Sequence, residues 1–187
     1  PIPATVSVII PAYQASKTIG RALKSIATQT VLPNEVIVID DGSDDDTFEA
    51  AKKMAGAMNG IDFEILHQEH KGAGTARNKG LNEATSTYVR LLDVDDGWLP
   101  EKLERSLPHL DGGDLVLVGH DYWTGEGQGA TYHHCERRFL ESGDAFVNLY
   151  RKGYIASSSV VVRRDAVISA GGYDPGLRNA QDFELWL

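Results

Sequence analysis

Short apolar runs rich in β-branched residues recur along this chain, and segments with apolar residues at helical spacing lie between them. No other feature narrows the possible folds as much. The runs are Val6–Ile10, Val36–Ile39, Tyr88–Leu92, Leu115–Val118 and Val160–Val162, with a weaker one at Phe63–Leu66. They are continuous rather than alternating, which predicts strands buried on both faces. Helical spacing appears in Ile19, Ala22, Leu23 and Ile26 behind a Ser16 cap. It returns in Phe48, Ala51, Met54, Ala55 and Met58 behind Asp44, and in Leu99, Leu103, Leu107 and Leu110 around Pro100. Strand followed by helix, repeated, predicts an α/β architecture with a mostly parallel sheet flanked by helices, becoming mixed toward the C-terminal part.

Beyond Gly119 the pattern loosens. The 120–135 stretch, with Gly125, Gly127 and Gly129, reads as a long loop or irregular hairpin. Residues 143–150 and 164–170 read as short helices, the second closed by Gly171-Gly172. A length of 187 residues fits one domain, at roughly 150 residues each. Residues 181–187 open an amphipathic helix with no capping signal, so the natural protein is expected to continue. The net charge of −9 works against nucleic acid and anionic membrane surfaces as partners. The lone cysteine, Cys135, precludes an internal disulfide and fits a reducing compartment. No apolar run reaches the roughly 20 residues of a membrane span, and the N-terminus lacks the order of a signal peptide. The expectation is a cytoplasmic protein, free or at the inner face of the membrane.

In open parallel sheets, ligands gather where strands end and helix N-termini converge. Here the first run ends in Pro11-Ala12-Tyr13. The second ends in Asp40-Asp41-Gly42-Ser43-Asp44, and the Tyr88 run ends in Asp93-Val94-Asp95-Asp96-Gly97-Trp98. Carboxylates gathered this closely repel unless a cation intervenes. An oxygen-only set suits Mg²⁺ or Mn²⁺ and argues against zinc. Asp44, Asp45 and Asp46 fit helix capping better than metal binding; for Asp93 and Asp95 the metal reading is the stronger.

Five segments carry a resemblance. They are Val6–Tyr13 (VSVIIPAY), Val36–Ser43 (VIVIDDGS), Gly74–Gly80 (GTARNKG), Leu92–Pro100 (LDVDDGWLP) and the pair Gly171–Asp174 (GGYD) with Gln181–Trp186 (QDFELW). In this order the sequence resembles the family 2 inverting glycosyltransferases of the GT-A fold. The resemblance implies a transferase using a nucleotide-diphospho-sugar donor, preferentially a UDP-sugar, with Mn²⁺ or Mg²⁺ and a saccharide or lipid-linked acceptor. It implies a nucleotide-binding half over 1–100 and an acceptor and catalytic-base half over 101–187. It further implies that Pro11, Ala12, Tyr13 and Asp41 contact the base, with Asp41 accepting from the uracil N–H. Arg77 would lie near base and diphosphate, and Asp93 with Val94 near the ribose or sugar. Asp95 would bind the metal, with Asp96 as a substitute ligand, and Asp182 would be the general base. Two departures stand out: Gln181 where Glu is usual, and Gln14 where Asn is usual.

For several of these residues a plainer role competes. Tyr13 also fits an aromatic packed on the sheet, Arg77 an exposed helix arginine, and Trp98 a plug under its loop. His120 and Asp121 are placed to meet a sugar, whereas the adjacent His133 and His134 point to opposite faces and cannot easily share an ion. Cys135 fits a buried apolar residue better than a nucleophile. Leu91–Trp98 also resembles the nucleophile motif of haloacid-dehalogenase-like phosphotransferases, but that motif normally sits on the first strand. The acidic pair of a phospho-receiver module also belongs on the first strand, and Gly72–Arg77 lacks the third glycine of a dinucleotide fingerprint. A catalytically inactive sugar-nucleotide-binding domain is the remaining alternative.

Overall fold

A computed structural model describes residues 5–110, 117–125, 129–134, 144–152, 155–178 and 181–186. Cys135 and the start of the Leu115 run lie outside the described residues. The elements are β1 (Val6–Ala12), α1 (Ile19–Ala27), β2 (Glu35–Asp40), α2 (Thr47–Lys53), β3 (Asp62–His67), α3 (Ala73–Glu83), β4 (Tyr88–Leu91), α4 (Lys102–Ser106), β5 (Leu117–Val118), β6 (Tyr122–Thr124), β7 (Thr131–His133), α5 (Ala145–Lys152), β8 (Val161–Arg163), α6 (Arg164–Ser169) and α7 (Gln181–Trp186). Every predicted strand is present. The main sheet has the order β3-β2-β1-β4-β8-β5. Its first four strands run parallel, and β8 runs antiparallel to both β4 and β5, so the sheet is mixed where the sequence pattern loosens.

Strand geometry sends alternate residues to opposite faces, and here both faces are buried. Val8, Ile10, Val36, Val38, Tyr88, Leu92 and Val161 line one face against Ile19, Ala22, Leu23 and Ile26 of α1. Ile9, Ile37, Ile39, Val89, Leu91 and Val162 line the other against Ala76 and Leu81 of α3 and Val167 of α6. Truncating one of the fully buried aliphatics to Ala costs about 2–5 kcal/mol. Helix α3 lies so close to β1 that a Cβ at Gly80 would come within 2.4 Å of Ile9. That approach sets the depth at which the following site residues sit.

Four details differ from the sequence reading. The Ser16 cap is absent: α1 starts at Ile19, and the Ser16 N–H is held instead by the Asp45 carboxylate at 3.1 Å. Asp44 does not cap α2, whose N-cap position is Asp46 with no side-chain cap bond; the preceding Asp45 instead holds its first residue, accepting from the Thr47 N–H at 3.0 Å and from its hydroxyl. Helix α2 ends at Lys53 and tightens into a 3₁₀ turn at Ala55–Ala57, and Leu99 stands exposed ahead of α4 rather than within it. The loop after Gly119 is a hairpin, β6 paired with β7, with Trp123 and Tyr132 exposed on it. His133 stacks on Tyr122 and His134 meets Tyr132 edge-on, on opposite faces as expected. Trp98 is a buried plug, its indole N–H on the Ser158 carbonyl at 2.9 Å and its ring beside the fully buried Arg90. Burial pulls the Arg90 guanidinium down to a pKa of about 9.

Candidate functional site

The parallel strands β1, β2 and β4 deliver Tyr13, Asp41 and Asp93 to their carboxyl-terminal edge. Pro11 and Ala12 are buried in the strand itself, so only their backbone faces that edge. The Ala12 carbonyl is already engaged by the Asp41 N–H at 2.8 Å. Tyr13 is 46 % exposed and does not pack on the sheet. Its ring stacks on His70 instead, with centroids 3.9 Å apart and planes 20° from parallel. Val94 leans into the core on the α1 side.

Asp41 is buried and saturated by the loop after β3. Its Oδ1 accepts from the Gln68 amide at 2.6 Å and the Lys71 N–H at 2.9 Å. Its Oδ2 accepts from the Gly72 N–H at 2.8 Å and faces His70 Nδ1 at 2.8 Å. Asp40 is also engaged, with the Ser43 N–H and with His67. Gly42 is required at the turn between them: its φ is +74°, and a Cβ there would meet the His70 backbone nitrogen at 2.6 Å.

Arg77 departs from the expectation of an exposed helix arginine. It is buried, with Nη2 on Asp93 Oδ1 at 2.7 Å, Nη1 on Gln181 Oε1 at 3.3 Å, and its guanidinium over the Tyr173 ring. Burial disfavours its charge, but Asp93, with Tyr173 and Asp182, more than compensates and the pKa is raised. Gln181, where a Glu is usual, therefore provides a neutral acceptor to an arginine that already has a counter-ion. Gly74 makes this possible, since a Cβ there would crowd the Gln181 amide at 2.9 Å. One helical position on, Asn78 grips the Tyr173 backbone from both sides, donating to its carbonyl at 2.7 Å and accepting from its N–H at 2.8 Å. A side chain at Gly172, φ +72°, would strike Asn78 at 2.7 Å, so the glycine pair serves that clasp.

Asp182 is tied into the same assembly. Its Oδ2 accepts from the Ser157 hydroxyl at 2.9 Å and its Oδ1 from the Phe183 N–H at 2.9 Å. The neighbouring Ser158 hydroxyl accepts from the Asp93 N–H at 3.0 Å. The 3₁₀ turn Ser157–Ser159 thus links the Asp93 loop to α7. Asp95 and Asp96 are exposed, and the Asp95 carbonyl receives Arg21 from α1. The Asp96 carboxyl is raised in pKa by desolvation, and further by Asp93 and Asp95, with the Ser158 hydroxyl opposing. Among the described residues no three His, Cys, Asp or Glu side chains gather as a closed metal cage. Asp95 and Asp96 do fit Mg²⁺ or Mn²⁺, which commonly take one or two carboxylates and complete their shell with water and substrate phosphates. His120 is not turned to this edge: its Nε2 faces Ser106 and Arg90, and burial with Lys102, Arg90 and His109 depresses its pKa to about 3.

Sequence reasoning missed Gln68, His70, Ser157 and Ser158. The only signal for the serines was their run, Ser157–Ser159, which reads equally well as the start of a strand.

The family model for glycosyl transferase family 2 matches residues 7–170. Glycosyltransferase AglE of Haloferax volcanii is 29% identical over 185 residues, 95% of this chain and 58% of that protein. Glycosyltransferase GlyA of Streptococcus pneumoniae is 30% identical over 165 residues, 83% of this chain and 23% of that protein. The chain thus spans less than two thirds of the length of these relatives. Among solved structures, S. aureus TarS 1–349 in complex with UDP aligns with a TM-score of 0.78 at 23% identity, over 97% of this chain and 53% of that one. The mannosyltransferase PcManGT from Pyrobaculum calidifontis, in complex with GDP-Man and Mn²⁺, aligns with a TM-score of 0.73 at 21% identity, over 97% and 50%. At these identities the likeness speaks for the fold. No helix among the described residues is long and apolar enough to cross a membrane.

Proposed function

We propose that this chain, which belongs to glycosyl transferase family 2, moves a sugar with inversion from a nucleotide-diphosphate sugar to a hydroxyl of a saccharide or lipid-linked acceptor. The observation that carries the reading is the network Asp93–Arg77–Gln181 with Asp182–Ser157. It holds the Arg77 guanidinium on Asp93 and Gln181, and the Asp182 carboxylate on Ser157, so that elements far apart in sequence meet.

In this reading residues 1–100 hold the donor and 101–187 the acceptor and base. The nucleotide base stacks on Tyr13 against the backbone of Pro11 and Ala12, and its ring N–H reaches Asp41. Asp93 and the Val94 main chain meet the ribose or sugar, and Arg77, braced by Asp93, faces the diphosphate. Asp95, with Asp96, would hold Mn²⁺ or Mg²⁺, which supplies Lewis-acid stabilisation to a departing diphosphate. Asp182 takes the proton of the acceptor hydroxyl as that oxygen bonds to the anomeric carbon from the face opposite the leaving group. The bond from the anomeric carbon to the diphosphate oxygen breaks as the new one forms. UDP is the preferred nucleotide, supported by the UDP and UDP-GlcNAc complexes of TarS; the GDP-Man complex of PcManGT makes GDP the competitor to test.

The test is thermal unfolding with UDP or GDP, each with and without Mn²⁺, followed by transfer assays. A ligand at 100 times its Kd adds about 2.7 kcal/mol of stability. UDP with Mn²⁺ is expected to stabilise most, and Asp182→Asn to keep that shift while slowing transfer roughly 10²- to 10⁴-fold. Equal transfer rates for parent and variant remove Asp182 from the mechanism. No stabilisation by any nucleotide overturns the reading.

A further inference from the structure

We infer that His70 occupies the base subsite as a ligand built into the chain, so that nucleotide binding is an exchange of imidazole for base. The inference rests on the base subsite proposed above. A base there needs an aromatic face to stack on and a carboxylate to receive its ring N–H. His70 already lies in both places: its ring is stacked on Tyr13 with centroids 3.9 Å apart and nearly parallel planes, and its Nδ1 sits 2.8 Å from Asp41 Oδ2 while bonded to the Asp41 main-chain carbonyl at 3.1 Å.

The other donors to Asp41 show why exchange must happen at His70. Lys71 and Gly72 donate backbone N–H groups fixed by the loop, and the Gln68 amide is half-buried. Only His70 presents a donor on an exposed side chain, 52% of which is open to solvent. Its backbone is pinned against the turn at Gly42, where even a Cβ would not fit. The moving part is therefore the side chain alone, turning about its own bonds while the loop stays in place. Among the described residues the N–H groups of Gln68, Lys71 and Gly72 already serve the two carboxylate oxygens and Nδ1 stands against Oδ2, so a base N–H reaches Asp41 by taking the position that Nδ1 holds. The neighbouring charges on this loop, Glu69 and Lys71, lie 3.9 Å apart and exposed, and do not enter the subsite contacts.

An occupant of this kind lowers apparent affinity by the fraction of time that the site is vacant of it. Calorimetric titration with UDP and Mn²⁺ of the parent, His70→Ala and Tyr13→Ala tests this. His70→Ala is expected to bind at least about fivefold tighter, as for a site free about one-fifth of the time in the parent. Tyr13→Ala is expected to bind more weakly. In the parent, the His70 ring resonances in NMR should move on UDP addition to those of a solvated imidazole. If the parent binds UDP but His70→Ala binds equally or more weakly, His70 is a wall of the site rather than its occupant, and the inference fails while the function stands. Unmoved His70 resonances on UDP binding have the same meaning. If neither parent nor variant binds UDP, both the inference and the proposed function fall.

Discussion

The two acidic clusters at the strand ends have similar composition and opposite circumstances. In the first, Asp40, Asp41, Asp44 and Asp45 each accept hydrogen bonds from within the chain, from loops at both sides of β2. In the second, Asp93 is bound to Arg77, Asp95 and Asp96 are exposed residues, and the Asp96 carboxyl is raised in pKa first by desolvation and then by Asp93 and Asp95. Carboxylate density alone does not make an ion site. What separates the clusters is the supply of N–H and O–H donors nearby: the 14–16 and 67–72 segments saturate the first, while among the described residues the second meets Arg77, Arg21 and Ser158.

If that contrast is correct, mutations in the second cluster should remove activity without removing stability, while those in the first should cost stability whatever they do to nucleotide binding. Asp95→Asn is expected to have the largest effect, lowering transfer roughly 10²- to 10³-fold, as the loss of several kcal/mol of Lewis-acid stabilisation would do. Its melting temperature should match the parent; a large drop would mean that the second cluster is structural as well. Asp41→Ala comes next. Removing its carboxylate leaves the part-buried Lys71 and Gly72 N–H groups without their acceptor, at a cost of about 1–3 kcal/mol, measurable by urea unfolding. An undiminished unfolding midpoint would show that the first cluster is not the scaffold described.

A smaller effect concerns Asp45, which the Thr47 hydroxyl above all holds down to a pKa of about 2, against a partial desolvation that opposes it. A depressed carboxylate adds stability above its unfolded pKa of ~4, and that stability is lost as pH falls from ~4 toward 2. Asp45→Ala should therefore cost about 1 kcal/mol at neutral pH, after allowance for solvent screening, and the gap to the parent should close in acid. A gap that stays constant with pH would assign the loss to something other than charge. The smallest effect is at Gln14, whose φ of +51° lies in the left-handed region that asparagine tolerates better than glutamine. Gln14→Asn is expected to raise stability by at most ~0.5 kcal/mol, and a loss would show that the bond from the Gln14 amide to Asp44 outweighs backbone preference.

The sheet was legible in the sequence because burial on both faces needs unbroken apolar runs, and Val6–Ile10 and Val36–Ile39 could hardly serve otherwise. The positions of the strand-end acids followed from that. What each acid does was not legible. Asp45 rather than Asp44 restrains α2 because Thr47 supplies a hydroxyl as well as an N–H, which is a matter of side-chain reach. The resemblance assigns Arg77 to the base and diphosphate, but its local pattern reads as a helix-surface cation, since nothing local announces that Gln181, 104 residues on, will cover it. His70 is hidden for the same reason: its partners Tyr13 and Asp41 end two other strands. Local periodicity reports which residues are inside; it does not report which loops meet.

The reversed direction of β8 changes where variation in this molecule can alter specificity. In the parallel strands, residues that follow each strand reach the ligand edge, whereas in β8 it is the residues that precede it, Ser157 and Ser158, that do so. The residue that follows β8, Arg164, emerges at the opposite rim, bonded to the Thr87 carbonyl. Transplanting a segment ahead of β8 from a relative should therefore carry acceptor preference with it, while exchanging only α6, directly behind β8, should leave preference untouched.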